Sequence, residues 1–123
     1  MQKESSSSVR IFYPRFNREE LIKRLKEKLG DLVKKLPLSS VVLFGSYAQG
    51  NYTVASDVDL LIVYRGKERR DAFATVKKTL DIPLLEPHVY SEDEYKRLKD
   101  LIGRMIADGV VLFSLRETGT KRR

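Results

Sequence analysis

The run Val41-Val42-Leu43-Phe44-Gly45-Ser46-Tyr47-Ala48-Gln49-Gly50, followed after residues 51–56 by Asp57-Val58-Asp59-Leu60-Leu61-Ile62-Val63, decides how this chain is read. Two apolar stretches of strand character flank a Gly-Ser turn and an Asp-x-Asp pair. Successive side chains of a strand point to opposite faces, so Asp57 and Asp59 project from the same face. Neighbouring carboxylates repel unless something positive neutralises them. On a strand that continues into the core, they suggest a divalent metal site. The Gly45-Ser46 turn offers backbone N–H groups and a hydroxyl, which suit phosphate oxygens. Metal and phosphate at one site point to phosphate-transfer chemistry. Either part alone is weak, since an Asp-x-Asp often marks only a solvated strand start. The combination, split by a short helix-sized insert, is specific.

Working outward, residues 17–36 read as a helix. Asn17-x-x-Glu20 is a capping-box pattern, Leu21, Leu25, Leu29, Leu32 and Leu36 form one apolar stripe, and Pro37 ends it. Residues 38–44 form the first strand. Residues 45–49 form a turn and short helix closed by Gly50, and 57–64 the second strand. A helix is expected over 68–80, with Ala72, Phe73, Val76 and Leu80 on its inner side, and a third strand over 82–90. Ser91-x-x-Glu94 opens a further helix to about residue 108, with Tyr95, Leu98, Leu101, Ile102, Met105 and Ile106 as its apolar face. A last strand covers 110–115. Strands alternating with helices imply an α/β (α+β) layer structure, a mixed sheet of about four strands covered by helices. The expected organisation is a flexible N-terminal lead (1–9), one domain (10–116) and a basic C-terminal tail (117–123). Ile11, Phe12, Tyr13 and Phe16, interrupted by Pro14, are expected to pack on the domain or on a partner.

The chain has 123 residues, 41% of them hydrophobic, which suits one domain with a real core. Its formal net charge is +7. That charge is spread along the chain, as on solvated helix faces and a basic tail, so direct nucleic-acid binding is not expected. The absence of cysteine excludes disulfides and thiolate zinc sites. No apolar run approaches the roughly 20 residues of a membrane span, and the serine-rich start is no signal peptide. A soluble, cytoplasmic protein without membrane contact is the expectation. Few Asn and Gln and 33% charged residues suit a thermophile. Neither a P-loop nor the dinucleotide Gly-x-Gly-x-x-Gly pattern is present.

Phe44-Gly45-Ser46-Tyr47-Ala48-Gln49-Gly50 together with Ser56-Asp57-Val58-Asp59-Leu60 resembles the signature of the DNA polymerase β-type nucleotidyltransferase superfamily. Within it the chain looks like the minimal nucleotidyltransferases (MNT or MntA antitoxins), over about residues 17–115. The resemblance implies a nucleotidyltransferase fold and an enzyme that uses Mg²⁺ (two ions) and ATP. Asp57 and Asp59 would hold the metals, and Gly45 and Ser46 the β- and γ-phosphates. An acceptor hydroxyl would attack the α-phosphorus and pyrophosphate would leave. It further implies a partner, a helical HEPN-domain toxin whose tyrosine receives AMP, and so a possible homo- or hetero-oligomer. Such a small core leaves little room for its own acceptor pocket.

A third carboxylate is usual in the superfamily. Glu86, in Leu84-Leu85-Glu86-Pro87-His88-Val89-Tyr90, is the candidate for metal ligand and catalytic base; Asp81 is the fallback. Pro87 suggests an edge or a bulge there. His88, on the same predicted face as Glu86, is either a strand residue satisfied by a neighbour or a base or phosphate contact. Gln49, Asn51 and Tyr52 line a pocket rim or serve turns. The alternative function is a catalytically silent subunit that binds a nucleotide or neutralises a partner by contact.

Overall fold

The structure is a computed structural model and describes residues 17–53 and 55–115. The expectations for the lead, for Ile11 to Phe16 and for the basic tail fall outside these residues. The element order is α1 (Arg18–Leu32), β1 (Leu38–Phe44), α2 (Ser46–Gln49), β2 (Val58–Tyr64), α3 (Ala72–Leu80), β3 (Leu85–Ser91), α4 (Glu92–Arg97), α5 (Lys99–Met105) and β4 (Val110–Ser114). The four strands form one mixed sheet in the order β3-β2-β1-β4. β1 runs antiparallel to both β2 and β4, and β2 runs parallel to β3. A parallel pair needs a crossover, and α3 supplies it.

The expected capping box of α1 is present: Asn17 Oδ1 accepts from the Glu20 N–H at 2.8 Å, and Glu20 Oε1 accepts from the Asn17 N–H at 3.0 Å. Leu21, Leu25, Leu29 and Leu32 bury one stripe of the helix. Each such leucine contributes roughly 1.5–3 kcal/mol relative to an exposed one. The helix stops at Leu32 rather than near 36. There the N–H groups of Lys34 and Lys35 reach back only three residues, to Asp31 and Leu32, and the tightened turn still buries Leu36.

The sheet separates two cores. On one face, α1 and α3 cover Val41, Leu43, Leu60, Ile62 and Tyr64. On the other, Ile102, Met105, Ile106 and Tyr95 of the α4–α5 segment cover Val42, Phe44, Leu61 and Val63. Gly109, between α5 and β4, lets that connection press on β1: a Cβ there would stand 2.6 Å from Val42 Cγ1 and 2.9 Å from the Leu43 carbonyl oxygen.

Three further segments depart from expectation. Residues 68–71 are not helical, and Arg69 there is held by partners outside a helical ladder. Its N–H donates to the Tyr64 hydroxyl at 2.8 Å, its guanidinium grips Asp71 at 2.9 and 3.0 Å, and Nη1 donates to the Lys35 carbonyl at 3.3 Å. Phe73, assigned to the inner side of that helix, is 51% exposed. The single helix expected over 92–108 breaks at Leu98 (φ −110, ψ 17) into α4 and α5. The break leaves Leu98 and Leu101 on the outside. β3 begins at Leu85 rather than 82, after a turn with Asp81 and Leu84 at positive φ.

Candidate active site

β1 runs antiparallel to β2, so its last residue lies beside the first residues of β2, and β3, parallel to β2, begins on the far side of them. Phe44 pairs with Asp59 across β1 and β2, and Asp59 pairs with Glu86 across β2 and β3. Neighbouring strands lie about 4.8 Å apart. The Gly-Ser turn, the Asp-x-Asp pair and Glu86 therefore come together at one end of the sheet. Strand alternation turns Asp59, Glu86 and His88 toward the face that also carries Phe44.

Gly45 makes the turn tight. Its backbone (φ 79, ψ −155) lies in a region open essentially to glycine alone. A Cβ at Gly45 would run into Oδ2 of Asp59 and stand 3.1 Å from its Cγ. The Asp59 carboxylate thus packs directly on the glycine backbone at the turn. Ser46 opens α2, and its carbonyl accepts from the N–H groups of Gly50 at 2.9 Å and Asn51 at 3.1 Å. Tyr47 is buried and stacks on Tyr52, with centroids 4.3 Å apart and an 11° tilt. The Tyr52 hydroxyl accepts from the Arg18 N–H at 3.1 Å. Tyr52 therefore ties the loop after α2 to the start of α1, whereas Gln49 and Asn51 are exposed.

Asp57 lies one residue ahead of β2 and is exposed. A turn places it, in which the Thr53 N–H donates to Ser56 Oγ at 2.8 Å and the Ser56 N–H to the Thr53 carbonyl at 3.1 Å. The Val58 N–H donates to the Leu84 carbonyl at 2.8 Å. Leu84 is 53% exposed yet holds φ at 62, so strained backbone fixes the start of β2. Glu86 is exposed on β3, which is an edge strand and tolerates the missing N–H of Pro87. Asp81 ends α3 in a left-handed conformation, which marks it as a helix-end residue.

Asp59 sits in surroundings that resist its charge. Burial, the largest cause, pushes its carboxyl above the ordinary aspartate range. His88 pulls it back down, while the charges of Asp57 and Glu86 push it further up. The His88 Nε2 stands 3.8 Å from Asp59 Oδ1. Among the described residues, no three His, Cys, Asp or Glu side chains gather closely enough to hold an ion jointly. Asp57 and Glu86 thus flank Asp59 without closing on a common point. The donor set still fits a hard divalent cation: all three acids offer carboxylate oxygens, and the central one is short of positive charge.

A family model described as the nucleotidyltransferase domain matches residues 19–113. The chain belongs to the nucleotidyltransferase domain family. Three Methanocaldococcus jannaschii proteins named as candidate protein adenylyltransferases resemble this nucleotidyltransferase. One is 47% identical over 45 residues, which is 37% of this chain and 40% of that protein. A second is 40% identical over 52 residues, 42% of this chain and 32% of that protein. A third is 46% identical over 46 residues, 37% of this chain and 46% of that protein. The match thus spans less than half the length of each relative.

Solved structures of similar fold include a candidate nucleotidyltransferase from Sulfolobus solfataricus. Its TM-score is 0.56 at 22% identity, over 94% of this chain and 92% of that one. A chain from the complex of a tri-AMPylated Shewanella oneidensis HEPN toxin with MNT antitoxin has a TM-score of 0.52 at 16% identity, over 80% of this chain and 76% of that one. At these identities the likeness speaks to the fold. The mixed four-stranded sheet with helices is the expected nucleotidyltransferase architecture.

The sequence spacing singled out Gly45, Ser46, Asp57 and Asp59, and the family resemblance added Glu86. That reading missed Phe44 as a wall of the site, whose ring packs against His88 with centroids 5.1 Å apart. It also missed Leu84. The position of Phe44 as the last strand residue before the turn was the available signal for the first. Nothing in the sequence marked the second.

Proposed function

We propose that this nucleotidyltransferase transfers AMP from ATP to a hydroxyl, and that the acceptor is a tyrosine of a HEPN-domain partner which it restrains as an antitoxin. The observation that carries the reading is the seating of the Asp59 carboxylate on the Gly45-Ser46 turn, with Asp57 and Glu86 beside it. The names of the relatives and the toxin–antitoxin complexes among the structural neighbours support the substrate and partner.

Asp57 and Asp59 would hold the divalent cations, Mg²⁺ by the nature of the donors, and Glu86 would complete the set. A metal bound there would neutralise the triphosphate and stabilise charge on the departing pyrophosphate. Gly45 lets the β- and γ-phosphates approach the backbone, and the Ser46 hydroxyl and the N–H groups of the turn donate to their oxygens. The acceptor oxygen attacks the α-phosphorus in line. A new phosphorus–oxygen bond forms as the α–β bridge breaks, and Glu86 receives the acceptor proton. Most of the acceleration comes from positioning and fixed charge. The added phosphate and adenosine would block the partner's site by charge and bulk.

The open arrangement of Asp57, Asp59 and Glu86 favours a second reading, a silent subunit that neutralises its partner by contact. One experiment separates the two. The protein is incubated with Mg²⁺, ATP and a HEPN-domain partner, and the partner is weighed by mass spectrometry. Transfer adds one or more AMP increments with wild type and none with Asp57→Ala or Asp59→Ala. An unmodified but inhibited partner would establish the contact reading.

A further inference from the structure

His88 is the chain's one histidine, and the transfer reaction leaves it without a part. We propose that His88 is a positioning residue for Asp59, turning its carboxylate toward the Gly45-Ser46 turn in the orientation that receives a divalent cation. This rests on the nucleotidyl-transfer reading above.

A carboxylate on a strand can rotate about two side-chain bonds, and both of its oxygens must be placed for it to bind a cation. Oδ2 of Asp59 is the oxygen that a Cβ at Gly45 would strike. Oδ1 is the oxygen that faces His88 Nε2, at 3.8 Å. The carboxylate is therefore held between the bare backbone of the turn and the imidazole edge. At that separation the contact is electrostatic rather than a hydrogen bond. Asp57 and Glu86 act on Asp59 in the opposite sense, by repulsion. His88 is the neighbour that opposes this repulsion.

The imidazole is itself fixed. Its ring packs on Phe44, with centroids 5.1 Å apart and an interplanar angle of 56°. Its backbone is locked in register with Leu61, two residues along β2 from Asp59. The side chains of His88 and Asp59 are 34% and 29% exposed. Water screens the contact only partly, and the site remains open to a ligand. Phe44, the last residue before the turn, thus braces the histidine that braces the carboxylate. Groups that orient metal-binding side chains typically matter by about 10–100-fold in metal affinity.

The test uses the full chain and Mn²⁺ alone, with free Mn²⁺ read by electron paramagnetic resonance. Asp59→Asn is the reference for loss of the site. His88→Phe keeps a ring against Phe44 but removes the polar edge, and His88→Gln restores an N–H donor. His88→Ala and His88→Phe are expected to weaken Mn²⁺ binding by about tenfold or more, and His88→Gln to recover most of it. A role in packing alone would give the reverse order, with Phe tolerated and Gln not, and would overturn the proposal. So would His88→Phe binding Mn²⁺ like wild type while Asp59→Asn does not bind; the transfer reading would then stand without His88. If wild type and Asp59→Asn bind Mn²⁺ alike, the metal role of Asp59 fails, and the proposal fails with it. Should His88→Ala not fold, the Phe and Gln variants carry the decision.

Discussion

Asp59 carries a charge that its surroundings resist. Its raised carboxyl pKa means that the unfolded chain ionises this group more readily than the folded one. Above both values, folding carries a penalty; it falls away as pH drops through the folded value and is absent below the ordinary aspartate value. Asp59→Asn is therefore expected to abolish transfer yet melt higher than wild type at neutral pH, with the gap closing in acid. Thermal unfolding across a pH series checks this, and a variant that melts lower at neutral pH would refute it. Gly45→Ala adds a strained backbone to an obstructed Cβ. It should cost roughly 2–4 kcal/mol, read from the denaturant midpoint. The identities of both residues were legible in the sequence, because a glycine turn and paired acids at that spacing have few other uses. The contact between Asp59 and His88 was not. Alternation gave the face of His88, but its neighbour depends on which strand lies beside which.

At the scale of elements, local chemistry was the readable part. Both capping boxes are present, and β1 and β2 fall where apolar runs place them. What escaped reading lay outside the helical period. Arg69 leaves the helix for Tyr64 and Lys35, and the break at Leu98 exposes leucines that the helical period had assigned to the core. Ser91 ends β3 and caps α4 while fully buried, its Oγ accepting from the Glu94 N–H at 3.2 Å. Ser91→Ala should cost about 1–2 kcal/mol, seen as a lower midpoint in urea. Leu84→Gly should act in the other direction. Its side chain is half exposed and its backbone is left-handed. Relief of that strain is expected to outweigh the added chain entropy by about 0.5–1 kcal/mol. A loss of stability would mean that the exposed side chain makes contacts worth more than the strain.

For the whole molecule, the arrangement of strands decides what the site can be. Strand order is not written in any local pattern, and the alternation of strands and helices does not say that β1 lies between β2 and β4. That placement is what gathers the turn and the acids at one end. A ligand that binds only this gathered arrangement must stabilise the fold by mass action. At a hundredfold excess over its Kd, Mg²⁺ is expected to add about 2.7 kcal/mol to wild type. Asp59→Asn should gain nothing, and a chelator should reverse the gain. Scanning calorimetry with and without Mg²⁺ provides the check.

Phe44 and Asp59 bound one unbroken stretch of chain, and they pair with each other. The stretch therefore brings its own alignment with it. The turn and the Asp-x-Asp pair are thus aligned by two strands, whereas Glu86 reaches them only through the pairing of β3 with β2. A change that loosened the β2–β3 edge would therefore cost the site its third acid while leaving the turn and the paired aspartates in step.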